Sequence, residues 1–167
     1  MAQSQVSPSV AYGVAGSPAT PDQLVHHPLN LIAEENCAVG NFCFQGSNAM
    51  FAKQSSEEEV QPIGILQRVI NYPNYMIGQS GTLVVPEGSP LTIVTLGNLW
   101  VNMTNSSSEG EAVFASLTDG SLTSAAAGTT VAGSVETTWR VVVSGLVGEA
   151  SLISNWGEVA SVPPASE

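Results

Sequence analysis

Residues 83–104 read LVVPEGSPLTIVTLGNLWVNMT, and this passage decides the fold class. Leu83–Val85 is a short apolar run stopped by Pro86-Glu87-Gly88-Ser89-Pro90. That cluster is a strong turn signal, because proline presets φ and glycine accepts the conformations a tight turn needs. Leu91–Leu96 resumes the apolar run and ends at Gly97-Asn98, a dipeptide that predicts a hairpin turn. Leu99, Val101 and Met103 then alternate with Trp100, Asn102 and Thr104, the period-two pattern of a half-buried strand.

The same texture extends in both directions. Upstream, Cys37–Phe44 reads as a strand, with Gly40 where a bulge or bend would fit. Ile63–Ile70 reads as another. Downstream, Ala112–Leu117 ends at Asp119-Gly120, a second hairpin signal, and Thr138–Ser144 and Ser151–Ser154 are the last runs. Ser56 with Glu59 fits a capping box, but Pro62 leaves room for little more than one helical turn. No stretch holds a 3.6-residue period over three turns, and Ala125-Ala126-Ala127, between Ser/Thr and Gly, reads as a loop. The expectation is an all-β body, residues 36–167, built as a β-sandwich, jelly-roll-like unit or small barrel.

Residues 1–35 differ from this body. They hold Pro8, Pro18, Pro21 and Pro28, no Lys or Arg, and apolar pairs without a period. They predict an extended N-terminal arm that lies down on a surface. Leu24, Val25, Leu31 and Ile32 are its candidate contact residues, and Trp100 and Trp139 are the candidate interface aromatics of the body.

Charge narrows the function. Lys53, Arg68 and Arg140 are the only fixed cations, against 14 acidic residues, for a formal net charge of -11. Three scattered cations cannot neutralise a row of phosphates, which argues against nucleic acid, and an anionic membrane would repel the chain. Only 10% of residues are charged, against roughly a quarter in an ordinary soluble domain. A coat of Ser, Thr, Asn, Gln and Gly suits a surface covered in an assembly, and a homo-oligomer, a dimer rather than a trimer, is expected. The N-terminus lacks the basic start and apolar core of a secretory signal. Asn102-Met103-Thr104 and Asn105-Ser106-Ser107 therefore read as chance glycosylation sequons.

Groups that could do chemistry are few. His26 and His27 are adjacent and have no third ligand near them, so neither a metal site nor a cofactor is implied. Cys37 and Cys43 would sit on one face of a single strand about 20 Å apart, beyond disulfide reach unless a loop folds the chain between them; they read as two buried free thiols. Paired carboxylates, Glu34 with Glu35, Glu57 to Glu59, and Glu109 with Glu111, all fall in turns or breaks, where solvated charge is more common than a hydrolytic pair. Trp100, Trp139 and Trp156 would serve a sugar-binding platform or a core.

The order of features from Ala38 to Trp156 resembles the structural cement (capsid decoration) proteins of tailed bacteriophages. The likeness rests on Val39-Gly40-Asn41-Phe42-Cys43-Phe44, Ile63-Gly64-Ile65-Leu66-Gln67-Arg68, and Val85-Pro86-Glu87-Gly88 followed by Leu91–Val94 and Gly97, Leu99-Trp100-Val101. Gly110–Ala115 with Asp119-Gly120, Thr138–Val141 and Gly148–Ser154 complete it. The resemblance implies a non-enzymatic protein on the capsid exterior, made in the bacterial host cytoplasm, that bridges neighbouring major capsid protein subunits. The competing expectation is a carbohydrate-binding or adhesin-like β-domain using Trp100 or Trp139.

Overall fold

A computed structural model describes residues 13–20, 23–69, 76–77 and 83–156. Residues 1–12 and 21–22 of the expected arm, Ile70 at the end of the second expected strand, and residues 157–167 lie outside the described residues. The strands are β1 (Leu24–His26), β2 (Leu31–Ala33), β3 (Cys37–Ala38), β4 (Phe42–Gln45), β5 (Phe51–Lys53), β6 (Gly64–Leu66) and β7 (Met76–Ile77). They continue with β8 (Leu83–Val85), β9 (Pro90–Leu91), β10 (Ile93–Asn102), β11 (Ala112–Ser116), β12 (Leu122–Ala125), β13 (Ser134–Val143) and β14 (Ala150–Ser154). The fold is all-β, with no helix among the described residues. The Ser56–Glu59 box caps nothing: Ser56 Oγ accepts from the backbone N–H of Glu58 at 3.3 Å and donates to its carbonyl at 2.8 Å, closing a local turn instead.

One long sheet runs in the order β12-β11-β13-β14-β10-β6-β4-β5-β2-β9, with β1 added beside β10. A second, three-stranded sheet has the order β3-β8-β7. Strand β10 is common to both halves of the long sheet. Its last residues pair with β14, from Asn98↔Ser154 to Asn102↔Ala150. Its first residues pair with β6 (Ile93↔Leu66, Val94↔Ile65) and with β1 (Leu24↔Gly97). The expected hairpin at Gly97-Asn98 is therefore absent, and the chain passes straight through. Both edges of β10 are occupied at this point, and a Cβ on Gly97 would run into Leu24. The glycine serves close strand approach, not a turn.

At the far end of β10 the sheet closes on itself. Met103 bridges to Leu122 in parallel, Thr104 N–H donates to the Leu122 carbonyl at 2.8 Å, and the Asn105 amide exchanges two hydrogen bonds with the Ser124 backbone. The strands β10, β14, β13, β11 and β12 thus form a ring. The first core fills it: Leu99, Val101, Val113, Leu122, Trp139 and Ile153 are all buried in one cluster. The alternation expected for Leu99, Val101 and Met103 holds, since all three are buried while Asn102 and Thr104 are exposed. The Asp119-Gly120 hairpin between β11 and β12 also forms as expected.

A second core holds Leu31, Ala33, Cys37, Val39, Cys43, Leu66, Val85, Leu91 and Ile93. Strands β4, β6 and the start of β10 form a wall between the two cores. Phe42, Phe44, Ile65 and Val94 face the first; Cys43, Leu66 and Ile93 face the second. Period-two alternation alone assigns these sides, because successive side chains in a strand point to opposite faces.

Two expectations change in the upstream half. Cys37–Phe44 is not one bent strand. The chain reverses through a turn at Ala38–Asn41, with Gly40 at φ 86°, so β3 and β4 enter different sheets. The segment expected as a separate arm gives β1 and β2 to the long sheet, and Leu31 and Ala33 to the second core. Residues 16–19 also bond along β10: Gly16 N–H donates to Trp100 O at 2.8 Å and Trp100 N–H to Ser17 O at 2.9 Å.

Two outcomes are expected. In Gly64→Ala the new Cβ meets the Val94 carbonyl inside contact distance and Ile93 Cγ2 at 2.7 Å. The rigid wall cannot give way, so urea unfolding should show a loss of about 1–3 kcal/mol, where an exposed Gly→Ala change with nothing nearby would not. Deletion of residues 1–35 removes Leu31 from the second core, so the truncated chain should unfold at markedly lower urea than the full chain, by about 2–5 kcal/mol. An unchanged midpoint would mean that the arm is dispensable to the fold.

Candidate functional site

Several of the described acidic side chains act as clasps on backbone N–H groups of loops and turns. Glu34 takes the Ser47 N–H at 3.0 Å. Its neighbour Glu35 takes the N–H groups of Gln54 and Ser55 at 2.6 and 2.8 Å and the Ser55 hydroxyl at 3.1 Å. The two carboxylates thus serve different loops and do not converge. Glu111 accepts from Ser108 N–H and from the Ser124 hydroxyl at 2.9 and 2.7 Å. Glu136 accepts from Gly128 N–H at 2.9 Å and pairs with Arg140 at 3.3 Å. Glu57, Glu58, Glu59 and Glu109 are exposed on loops.

Hydrogen bonds set the ionisation of two of these groups. The Ser47 side chain lowers the Glu34 pKa below its ordinary value against the opposing effect of desolvation, and the Ser47 N–H and then Lys53 add to the lowering. For Asp119, partial burial opposes ionisation, but the Ser121 hydroxyl at 2.7 Å and N–H at 3.1 Å outweigh it, and the pKa is again lowered. Both are cases of donors favouring the charged form.

The other candidates are also accounted for. His26 Nε2 lies 2.6 Å from Gln67 Oε1, while His27 Nδ1 meets the Leu29 backbone at 3.2 Å, so the two rings serve different partners. Among the described residues no three His, Cys, Asp or Glu converge on a metal position.

The six expected interface residues are distributed unevenly. Leu31 and Trp139 are core residues, Trp139 at 3% exposure, so neither is available to a partner in this fold. Trp139 is therefore also lost as a sugar-stacking ring. Leu24 packs against the first core beside Gly97. Ile32 and Trp100 are half-buried, with Gly13 lying against the Trp100 ring. Val25 remains exposed. Trp156 is exposed too, but its indole N–H is tied to the Gln23 carbonyl at 2.9 Å.

Among the described residues, the most exposed apolar pair is one the sequence did not single out. Leu146 and Val147, 64% and 63% exposed, form the tip of the β13–β14 hairpin, with Val143 exposed at its base. The tip is held firmly. Glu149 N–H donates to Leu146 O at 2.9 Å, and Leu146 N–H to Glu149 Oε2 at 3.3 Å. Beneath it, Ser107 N–H donates to Gly145 O, Gly145 N–H to Ser107 Oγ, and Ser107 Oγ meets Ser151 Oγ at 2.8 Å. Register puts this tip at the end of the ring opposite the 117–121 turn, because Ser116 pairs with Ser134 at the start of β13. The 117–121 end is occupied, with Phe42 N–H donating to Gly120 O and Ser56 N–H to Leu117 O.

Comparison with known proteins agrees with the architecture. The family model of the structural cement protein (E217 gp24/Pam3 gp6) matches residues 2–160. The chain belongs to the structural cement protein family. A solved structure titled "The capsid of Myoviridae Phage XM1" contains a similar fold, with 16% identity, a TM-score of 0.60, and coverage of 92% of this chain and 96% of that one. No curated protein matches the chain. Membership identifies a capsid-associated structural protein of a phage.

The lowered carboxyl values make the fold acid-sensitive. A group whose folded pKa lies below its unfolded value contributes stability above the unfolded value, and that contribution is lost as pH falls through the folded one. The ordinary values are 4.5 for Glu34 and 3.8 for Asp119. Thermal midpoints taken from about pH 7 to about pH 2 should hold level to about pH 5 and then fall. Asp119→Asn, which cannot ionise, should flatten part of the fall. A wild-type midpoint level down to the lowest pH would contradict the assignment.

Proposed function

We propose that this cement protein binds the outer surface of an icosahedral phage shell and bridges neighbouring major capsid protein subunits, without enzymatic activity. The observation that carries the reading is the family match across residues 2–160. The side-chain chemistry is consistent with it. The carboxylates with described partners are spent on turns, and a body with two cores on one wall offers a stiff bracket whose loops reach outward.

The rigid Leu146–Val147 tip and Val25 are the exposed apolar groups proposed to meet the shell. A pinned loop loses little conformational freedom on docking, so its buried area converts efficiently into affinity. The three cations offer few charge-assisted contacts, which leaves apolar and backbone contacts to hold the protein on.

The test is co-sedimentation with empty capsids. The full chain should pellet with shells, and L146D/V147D should lose at least about tenfold in affinity, the equivalent of about 1.4 kcal/mol, while keeping the parent's thermal midpoint. Occupancy should hold or rise between about 0.1 and 1 M salt, over which the screening length falls from about 10 to about 3 Å. No pelleting of the full chain would overturn the function; release at high salt would show that the acidic groups attach it.

A further inference from the structure

Cys37 and Cys43 take no part in the capsid reading, yet the fold brings them together. Both are buried free thiols in the second core. The reversal at Ala38–Asn41, closed by Asn41 N–H to Ala38 O at 3.4 Å, carries the chain from β3 in the small sheet to β4 in the wall. Both side chains lie in the same buried cluster, and one residue, Gln54, reaches the backbone next to Cys37 and the Cys43 sulfur. Gln54 fixes the frame around them. Its Oε1 accepts from Ala38 N–H at 2.7 Å, and its Nε2 donates to Ala38 O at 2.7 Å and to Cys43 Sγ at 3.9 Å. On the other side, Cys37 donates to the Glu35 carbonyl at 3.3 Å. Gly40 N–H to Leu66 O and Leu66 N–H to Asn41 O, both 2.9 Å, tie the turn to β6. The two sulfurs therefore share one small, apolar, well-braced compartment.

We propose that Cys37 and Cys43 are a latent oxidation site that forms an intramolecular disulfide with a small peroxide. In the first step one thiolate attacks a peroxide oxygen. The O–O bond breaks, a sulfenic acid forms, and the displaced hydroxide leaves as water after taking a proton. The second thiolate then attacks the sulfenic sulfur, the S–S bond forms, and its hydroxyl departs as the second water. Two thiols lose two electrons and two protons, and one hydrogen peroxide is reduced to two waters. Complete burial admits only a reagent near the size of water. The Cys37 side chain, then burial, raises the Cys43 pKa well above the ordinary thiol value, so few thiolates exist at neutral pH and the reaction is slow. The bond would join the small sheet to the wall between the cores. The fold does not need it, so the reduced chain reaches the same structure.

The test uses the full chain exposed to dilute hydrogen peroxide. It is then unfolded in excess alkylating reagent and weighed intact. Untreated protein should carry two alkyl groups. Treated protein should carry none, regain two after reduction, and run as a monomer without reductant. The reaction should quicken with pH. The oxidised chain should melt on the order of 5 °C higher, as expected for closing so short a loop in a domain of this size. In Cys37→Ala, the remaining cysteine should yield no monomeric disulfide. Two alkyl groups retained after treatment just below the melting temperature would overturn the proposal. So would label loss that reduction does not reverse, disulfide-linked dimers as the main product, or no gain in melting temperature. None of these outcomes bears on capsid binding.

Discussion

The wall of β4, β6 and the start of β10 is the constraint on which the rest of the molecule depends. A wall buried on both faces leaves no tolerant side. Phe42, Phe44, Ile65 and Val94 must fit the first core while Cys43, Leu66 and Ile93 fit the second. A one-residue slip in register would exchange the two sets, sending phenylalanines to a compartment lined by smaller side chains such as Leu31, Ala33, Val39 and Val85. Gly64 fixes that register from within, because only a residue without a side chain lets β6 lie this close to the Val94 carbonyl. Each core is thereby specified by its neighbour.

Much of this was readable from residues, and what failed did so for identifiable reasons. The alternation at Leu99, Val101 and Met103 and the turns at Pro86–Pro90 and Asp119-Gly120 are local signals, and the structure follows them. Gly97-Asn98 misled because a turn dipeptide and a close strand crossing use the same glycine, and only the partners, β1 and β14, tell them apart. Cys37–Phe44 misled in the opposite sense. Its apolar residues on either side of Gly40-Asn41 belong to two strands in different sheets, with Gly40 reversing the chain between them. The short β1 and β2 strands lack any period of their own, since three residues are too few to show one. Trp139 and Leu31 could not be assigned to core or surface from composition; pairing partners decide that. The Leu146–Val147 tip carried a weak signal, an apolar pair between Gly145 and Gly148 where turns are usually polar.

A chain so short of cations must satisfy its carboxylates in another way, and it does so with backbone amides. Glu34, Glu35, Glu111, Asp119 and Glu136 each accept from an N–H in a nearby turn. These bonds leave no buried side-chain polar atom without a partner among the described residues. They also explain why acidic pairs in the sequence imitate a hydrolytic centre without making one: neighbours along the chain are aimed at different loops.

The closure of β12 by residues 103–105 has a meaning for crowding. An open strand edge displays alternating donors and acceptors that any identical chain can extend, which is how ordered aggregates begin. Here the outermost strand of the ring has those groups already engaged by Met103, Thr104 and Asn105. Many copies held side by side at high local density would find no ladder to continue along that edge, and so could be packed closely without seeding a fibre.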